Sequence, residues 1–148
     1  MKWSLQQLRK INNFPYAFEA TINFNESIYQ DILKSRDDIY KLNDVNVKGN
    51  LVRIDEETYE VNYTMTTTVV MACSLTLEDV IYEVNESFQE IYSTKANDDW
   101  FLIEKNTIDL DEMVWSNLIM SLPIRIVRSD AYEILKSRGI TLEQEVEE

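Results

Sequence analysis

Residues 58–73 read Thr58-Tyr-Glu-Val-Asn-Tyr-Thr-Met-Thr-Thr-Thr-Val-Val-Met-Ala-Cys73, with apolar and polar side chains in alternation. Successive side chains of a strand point to opposite faces, so this stretch predicts one half-buried β-strand. The set predicted to face the core is Tyr59, Val61, Tyr63, Met65, Val69, Met71 and Cys73. The stretch therefore predicts a sheet-based fold in which Cys73 points inward at the end of its strand.

Three other segments also show a period of two. Residues 14–24 alternate from Phe14 to Phe24, and Pro15 favours an edge strand because proline cannot donate to a ladder. Residues 45–54 change parity after Gly49, which predicts a bulge. Residues 80–92 predict a third long strand, and residues 100–103 a short strand or a helical turn.

Helix signals flank these strands. Ser4-x-x-Gln7 and Asp109-x-x-Glu112 are capping-box patterns, Asn25 and Ser129 are expected N-caps, and Gly139 is a stop signal. Pro123 ends the helix that begins near Asp109. In the helix after Asn25, the residues predicted to face inward are Ile28, Ile32, Leu33 and Ile39 or Tyr40.

Short connections between the central strands predict antiparallel pairing. We therefore expect an α+β fold: a twisted antiparallel β-sheet with flanking helices that cover one face, in a single domain. The domain is expected to span residues 1–142, and residues 143–148 are expected to form a disordered acidic tail.

Several chemical classes are disfavoured by what the 148 residues lack. There is no histidine, only one cysteine, and only two glycines, Gly49 and Gly139. Ser-His and Cys-His nucleophile pairs, imidazole metal sites, structural zinc sites and glycine-rich phosphate loops are therefore not expected. We predict a protein that is not an enzyme and that needs no cofactor and no metal.

The location of the protein is predicted from the same composition. No apolar run approaches the roughly 18 residues needed to span a bilayer, and the N-terminus turns polar too early for a signal peptide. A single cysteine leaves no internal disulfide. These features predict a cytoplasmic protein with no membrane association.

The formal charge is −13, and it is unevenly distributed. Between Glu78 and Glu112 eleven acids stand against Lys95 and Lys105, a balance of −9. Such a field repels phosphate and attracts basic partners. An acidic surface that serves only solubility is the alternative explanation.

A family resemblance begins at the end of the central strand, in Cys73-Ser-Leu-Thr-Leu-Glu-Asp-Val80. This segment resembles the YceD family, whose bacterial members are named for large-subunit ribosomal RNA accumulation. The matching positions are Cys73, Thr76, Leu77 and Val80, while Leu75 stands where the family usually has arginine. The start of the chain, residues 1–10, resembles Gram-positive members, and residues 108–125 resemble the family's acidic helix followed by Leu-Pro.

The resemblance implies a non-enzymatic factor that supports large ribosomal subunit assembly and ribosomal RNA accumulation. The acidic segment favours a basic ribosomal protein or a pre-ribosomal particle as the partner. Direct contact with RNA, the identity of the partner and the oligomeric state stay open. An acidic protein-binding adaptor unrelated to ribosomes is the alternative.

Candidate site residues follow from these arguments. Cys73 is expected to be a buried, unreactive thiol, because no base adjoins it in the sequence. Arg125 and Arg128 either contact RNA or a carboxylate, or pair with neighbouring acids. The acids at 109, 111 and 112 either cap a helix or hold Mg²⁺, and capping is favoured. The complete set of candidate binding residues is Cys73, Thr76, Leu77, Glu83, Glu86, Glu90, Arg125 and Arg128.

Overall fold

The structure is a computed structural model that describes residues 1–140. The strands are β1 (Lys2–Ser4), β2 (Tyr16–Ile22), β3 (Ile39–Leu42), β4 (Val45–Asp55), β5 (Thr58–Ala72), β6 (Asp79–Ser93), β7 (Phe101–Leu102) and β8 (Thr107–Asp109). The helices are α1 (Leu5–Lys10), α2 (Ser27–Lys34), α3 (Leu110–Ser121) and α4 (Ala131–Ser137). Strands and helices alternate from β1 to β3, long strands occupy the middle of the described range, and two helices end it.

The main sheet has the strand order β2-β4-β5-β6-β7, and β3 also pairs with β5. The pairs β2–β4, β3–β5 and β4–β5 are antiparallel, whereas β6 and β7 pair in parallel over two residues. A separate two-stranded sheet joins β1 to β8. The predicted α+β class is confirmed, and β2 lies at the edge where Pro15 indicated an edge strand.

The contacts divide the chain into two compact units. Unit 1 comprises Met1–Asn23, Asp44–Thr67 and Glu83–Leu122. Among the described residues, unit 2 comprises Phe24–Asn43, Thr68–Tyr82 and 123–140. The domain boundary at residue 142 stays a prediction, and the expected tail at 143–148 lies outside the described residues.

The core of unit 1 includes buried side chains from β5 and from α3. Tyr59, Val61, Tyr63 and Met65 are buried, as their parity predicted. Trp3 also packs edge-on against Phe18 of β2, with 5.0 Å between the ring centroids. The buried residues of α3 are Leu110, Met113, Val114, Trp115 and Leu118.

Unit 2 continues the same alternation. Val69 and Met71 at the end of β5 are fully buried, as predicted, and Cys73 follows them. From α4, Ala131 and Leu135 are buried as well. The alternation in residues 58–73 therefore supplies buried side chains to both units.

The predicted bulge at Gly49 is wrong. Gly49 pairs in unbroken register with Phe18 on one side and Tyr63 on the other, and the register shift lies between Arg53 and Asp55. Glycine is required because a Cβ at this position would overlap the backbone oxygen of Asn62.

The helix starts were predicted with mixed success. Ser4 closes both hydrogen bonds of its capping box with Gln7, as expected. The N-cap residues of α2 and α4 are Glu26 and Asp130, so the predictions of Asn25 and Ser129 are wrong by one residue each. The predicted stop at Gly139 fits its left-handed backbone, with φ of 78°.

The largest error concerns α2. It buries none of its residues, and Ile28 and Ile32 are exposed. Ile39, expected at the end of this helix, belongs instead to β3 and pairs with Met71. The helical spacing of apolar residues continued across a turn into a strand.

Within residues 1–140, no helix is both long enough and apolar enough to cross a lipid bilayer.

Candidate functional site

The segment that carries the family resemblance forms a tight loop between β5 and β6. We call residues 73–78 the Cys73 loop. The N–H of Leu77 donates to the carbonyl of Cys73 at 2.9 Å, and the N–H of Cys73 donates to the carbonyl of Glu78 at 2.8 Å. The N–H of Glu78 also donates to the hydroxyl of Thr76 at 3.2 Å. The loop is therefore closed by its own backbone and by one threonine side chain.

The thiol of Cys73 lies inside this loop and is fully buried. Burial alone would raise its pKa. The opposing effects are hydrogen bonds from the Thr76 hydroxyl and from the backbone N–H groups of Arg128, Leu75 and Thr76, and together they lower the pKa of Cys73 to about 7. The backbone nitrogen of Arg128 lies 3.4 Å from the sulfur of Cys73. A base is thus not needed to favour the thiolate, contrary to what the sequence led us to expect, because the Thr76 hydroxyl and the backbone donors have the same effect.

Two arginines from the segment after α3 bind the Cys73 loop and its exit. Arg125 donates from Nε to the hydroxyl of Ser74 at 2.9 Å. Arg128 donates from Nη1 to the carbonyl of Asp79 at 3.0 Å and forms a bidentate pair with Asp130 at 2.8 and 3.1 Å. This pair raises the pKa of Arg128 and lowers that of Asp130, in both cases mainly through the hydrogen bond between them. Arg128 thus pairs with an acid, one of the two roles considered for it.

Arg138 is a third arginine at the loop, and it was not among the binding residues predicted from the sequence. It donates from Nη1 to the carbonyl of Thr76 at 3.1 Å and pairs with the carboxylate of Glu78. In the sequence, Arg138 was only a basic residue before the stop signal at Gly139. Nothing in its local pattern indicated a partner 60 residues away.

Leu77 and Thr76 face opposite environments. Thr76 is buried, whereas the side chain of Leu77 is 69% exposed. Leu77 also has a φ of 62°, a backbone region that residues with a Cβ rarely adopt. The hydroxyl of Tyr40 donates to the Leu77 carbonyl at 2.6 Å. The loop therefore exposes the apolar side chain of Leu77 to solvent, and hydrogen bonds stabilise the backbone conformation that does so.

The three acids proposed as binding residues, Glu83, Glu86 and Glu90, all lie in unit 1 but differ in exposure and in hydrogen bonding. Glu83 and Glu86 are exposed on β6. Glu90 is half-buried and accepts hydrogen bonds from the amide of Asn117 at 2.8 Å and from the hydroxyl of Tyr92 at 3.2 Å. Burial first, and then the charge of Glu90, raise the pKa of Tyr92. Glu90 is committed to a polar cluster inside unit 1, so only two of the three acids are free for a partner.

The acids at the start of α3 act in capping, the interpretation that the sequence favoured. Asp109 accepts from the N–H groups of Asp111 and Glu112 at 3.1 and 3.3 Å, and Asp111 pairs with the terminal ammonium of Met1 at 2.7 Å. Among residues 1–140, no group of three or more side chains with metal-ligand chemistry converges.

Unit 1 also has a shallow open depression of about 440 Å³ on β4, β5 and β6. Its side chains include the amides of Asn50 and Asn62, which bond to each other at 3.1 Å, and the hydroxyls of Thr64 and Ser87, which bond at 2.7 Å. These four polar groups therefore bond to one another across neighbouring strands.

The structure therefore separates the predicted site residues into two groups. Cys73, Thr76, Leu77, Arg125 and Arg128 lie together in unit 2 around one loop. The three acids of β6 lie in unit 1.

Comparison with known proteins supports the resemblance of the loop. Residues 61–148 match the family described as "Large ribosomal RNA subunit accumulation protein YceD". A relative, "Uncharacterized protein YlbN" from Bacillus subtilis (strain 168), is 28% identical over 131 residues, which is 85% of this chain and 73% of the relative. No solved structure matches. The family match covers more than half of the chain and includes the whole Cys73 loop, and the chain therefore belongs to the YceD family.

Proposed function

We propose that this protein is a non-enzymatic, cytoplasmic factor in assembly of the large ribosomal subunit and accumulation of its RNA. In this proposal it binds a basic ribosomal protein, or a precursor particle that carries one, through exposed acids of unit 1. The family's description supports the link to the large subunit.

The observation that carries the proposal is the distribution of charge between the units. Unit 1 holds fifteen carboxylates against seven lysines and arginines, a formal balance of −8. The described part of unit 2 holds eight carboxylates against seven lysines and arginines. A surface of one sign accelerates encounters with partners of the opposite sign and disfavours phosphate. A basic protein fits unit 1 better than bare RNA does.

The arginines of unit 2 support the same choice of partner. Arg125, Arg128 and Arg138 each donate to groups of the Cys73 loop or its exit, and two of them also pair with a carboxylate. A phosphate contact would have to replace these bonds. We therefore assign the arginines to holding the loop.

The first prediction tests the acidic surface. Replacing Glu83 and Glu86 together with lysine should weaken binding to basic proteins extracted from large subunits by about tenfold at low salt, because two attractive charges become repulsive. Binding of the unchanged protein should also fall as salt rises. Affinity can be measured by titration with the extracted proteins and, separately, with bare ribosomal RNA.

The matched control replaces Glu19 and Glu56 with lysine, since both are exposed acids of unit 1 outside β6 and the change in net charge is identical. This control, Arg125→Ala and Arg128→Ala should all have smaller effects. Tight binding to bare ribosomal RNA that the two arginine changes abolish would contradict the proposal. If tagged protein from cells failed to sediment with large-subunit precursors on a gradient, an adaptor unrelated to ribosomes would be favoured instead.

A further inference from the structure

The outer edge of β6 has main-chain groups without a partner strand. β6 has fifteen residues and lies next to β5 along one side. On its other side β7 pairs only with Tyr92 and Ser93. Within residues 1–140, no strand pairs with that edge between Glu83 and Gln89. An open edge of this length is a template for another strand.

The direction of the open groups follows from the pairing with β7. The carbonyl of Ser93 accepts from the N–H of Ile103 at 2.8 Å, so the main-chain groups of Ser93 point to the outer edge. Because this direction alternates along a strand, Asn85, Ser87 and Gln89 point theirs to the same edge. All three residues are exposed.

The side chains along this edge favour a partner strand that is positively charged. β6 contains no lysine, arginine or proline, and Glu83 and Glu86 are exposed on it. Two copies of this edge would bring like charges together, which opposes pairing of the protein with itself. A strand that carries lysine or arginine would place opposite charges across the pair instead.

We propose that the outer edge of β6, from Glu83 to Gln89, accepts an extended basic segment of a partner protein as an added β-strand. Main-chain hydrogen bonds to Asn85, Ser87 and Gln89 supply the pairing, and Glu83 and Glu86 supply the charge preference. The partner's basic character rests on the proposed function, and the mode of pairing rests on the open edge.

The test uses a nine-residue peptide of alternating lysine and valine and the same peptide N-methylated at every second residue. The two peptides have equal charge, but the methylated peptide cannot donate hydrogen bonds along one edge. The unmodified peptide should bind at least about tenfold more tightly, since several main-chain bonds are lost on methylation. Hydrogen exchange at Asn85, Ser87 and Gln89 should slow when it binds.

A variant tests the edge from the side of the protein. Gln89→Pro removes an outward N–H without touching the β5 side of the ladder, and proline is tolerated on edge strands. It should lose about tenfold in affinity for the unmodified peptide, whereas Gln89→Ala, which keeps the N–H, should stay within about twofold. Circular dichroism shows whether Gln89→Pro is folded; if it is not, the comparison of the two peptides on the unchanged protein decides.

The outcomes separate this inference from the proposed function. Equal binding of both peptides, still sensitive to Glu83→Lys with Glu86→Lys, would overturn strand addition and leave the charge-based proposal standing. Failure of the unchanged protein to bind either peptide or any basic protein of the large subunit would overturn both. Self-association at micromolar concentration that Gln89→Pro abolishes would overturn the assignment of the edge to a basic partner.

Discussion

At the scale of one residue, Cys73 combines full burial with a lowered pKa. Burial disfavours the thiolate, whereas hydrogen bonds from the Thr76 hydroxyl and from backbone N–H groups of the loop and of Arg128 favour it. The charge of this thiol therefore depends on pH near neutrality.

A prediction about pH belongs to this residue. The pKa of Cys73 is lowered from 9.0 to about 7 on folding, so its contribution to stability is fully present above pH 9 and is lost as pH falls through about 7. The difference in free energy of unfolding between the protein and its Cys73→Ser variant should therefore grow from pH 6.5 to pH 9. Urea unfolding at several pH values measures it.

The absorbance of the thiolate near 240 nm gives an independent check and should titrate with a midpoint near pH 7. Cys73→Ser should itself cost roughly 1–3 kcal/mol because a hydroxyl replaces a thiol in a buried site. A difference in stability that stays constant with pH, together with a midpoint near 9, would show that the loop donors do not favour the thiolate.

Only part of the environment of Cys73 could be predicted from the sequence. Its burial could, because parity with Val69 and Met71 depends only on the period of a strand. Its lowered pKa could not, since one of the donors is the backbone N–H of Arg128, which is 55 residues away.

At the scale of elements, the capping box at Ser4 was predicted correctly, whereas the N-caps predicted at Asn25 and Ser129 were wrong by one residue. The capping box at Ser4 involves residues three apart, and the sequence contains both partners. The pattern at α2 misled because helical spacing marks an apolar face and does not say whether anything covers it. Gly49 was recognised as special for the wrong reason, since its close neighbour, the Asn62 oxygen, comes from the paired strand.

The capping of α3 gives a prediction at this scale. Asp109→Ala removes the acceptor for the N–H groups of Asp111 and Glu112 and should cost about 0.5–2 kcal/mol of unfolding free energy. Asp109→Asn keeps a side-chain oxygen and should cost less than half as much. Urea unfolding of the three proteins compares them.

The Asn variant also removes the ion pair between Asp109 and Lys2, whose nitrogen lies 3.6 Å away on a largely exposed side chain. Exposed pairs of this kind contribute little. Equal losses for the two variants would mean that charge, rather than the cap, is what Asp109 supplies.

At the scale of the whole molecule, the sequence showed an excess of acidic residues but not how these residues are divided between the two units. The segment from Glu78 to Glu112 was treated as one acidic surface, yet its first acids belong to unit 2, where Glu78 pairs with Arg138. The acids that follow belong to unit 1. Division into units depends on contacts between distant parts of the chain, which a running count of charge cannot show.

The positions of the tryptophans and of the single thiol give the chain two spectroscopic reporters. All three tryptophans, Trp3, Trp100 and Trp115, lie in unit 1, and the single thiol, Cys73, lies in unit 2. Two of the tryptophans are buried, so native emission should be shifted to the blue and should move to the red only as unit 1 opens. The thiol should react with a colorimetric reagent only as unit 2 opens.

These reporters make a prediction that needs no substitution. Unit 2 contains α2, which buries nothing, and the short α4, so it should open at a lower free energy than unit 1. On titration with urea, labelling of Cys73 should therefore lead the change in tryptophan emission. Coincident curves would mean that both units unfold in one cooperative step, and every stability measured on this chain would then refer to the whole molecule.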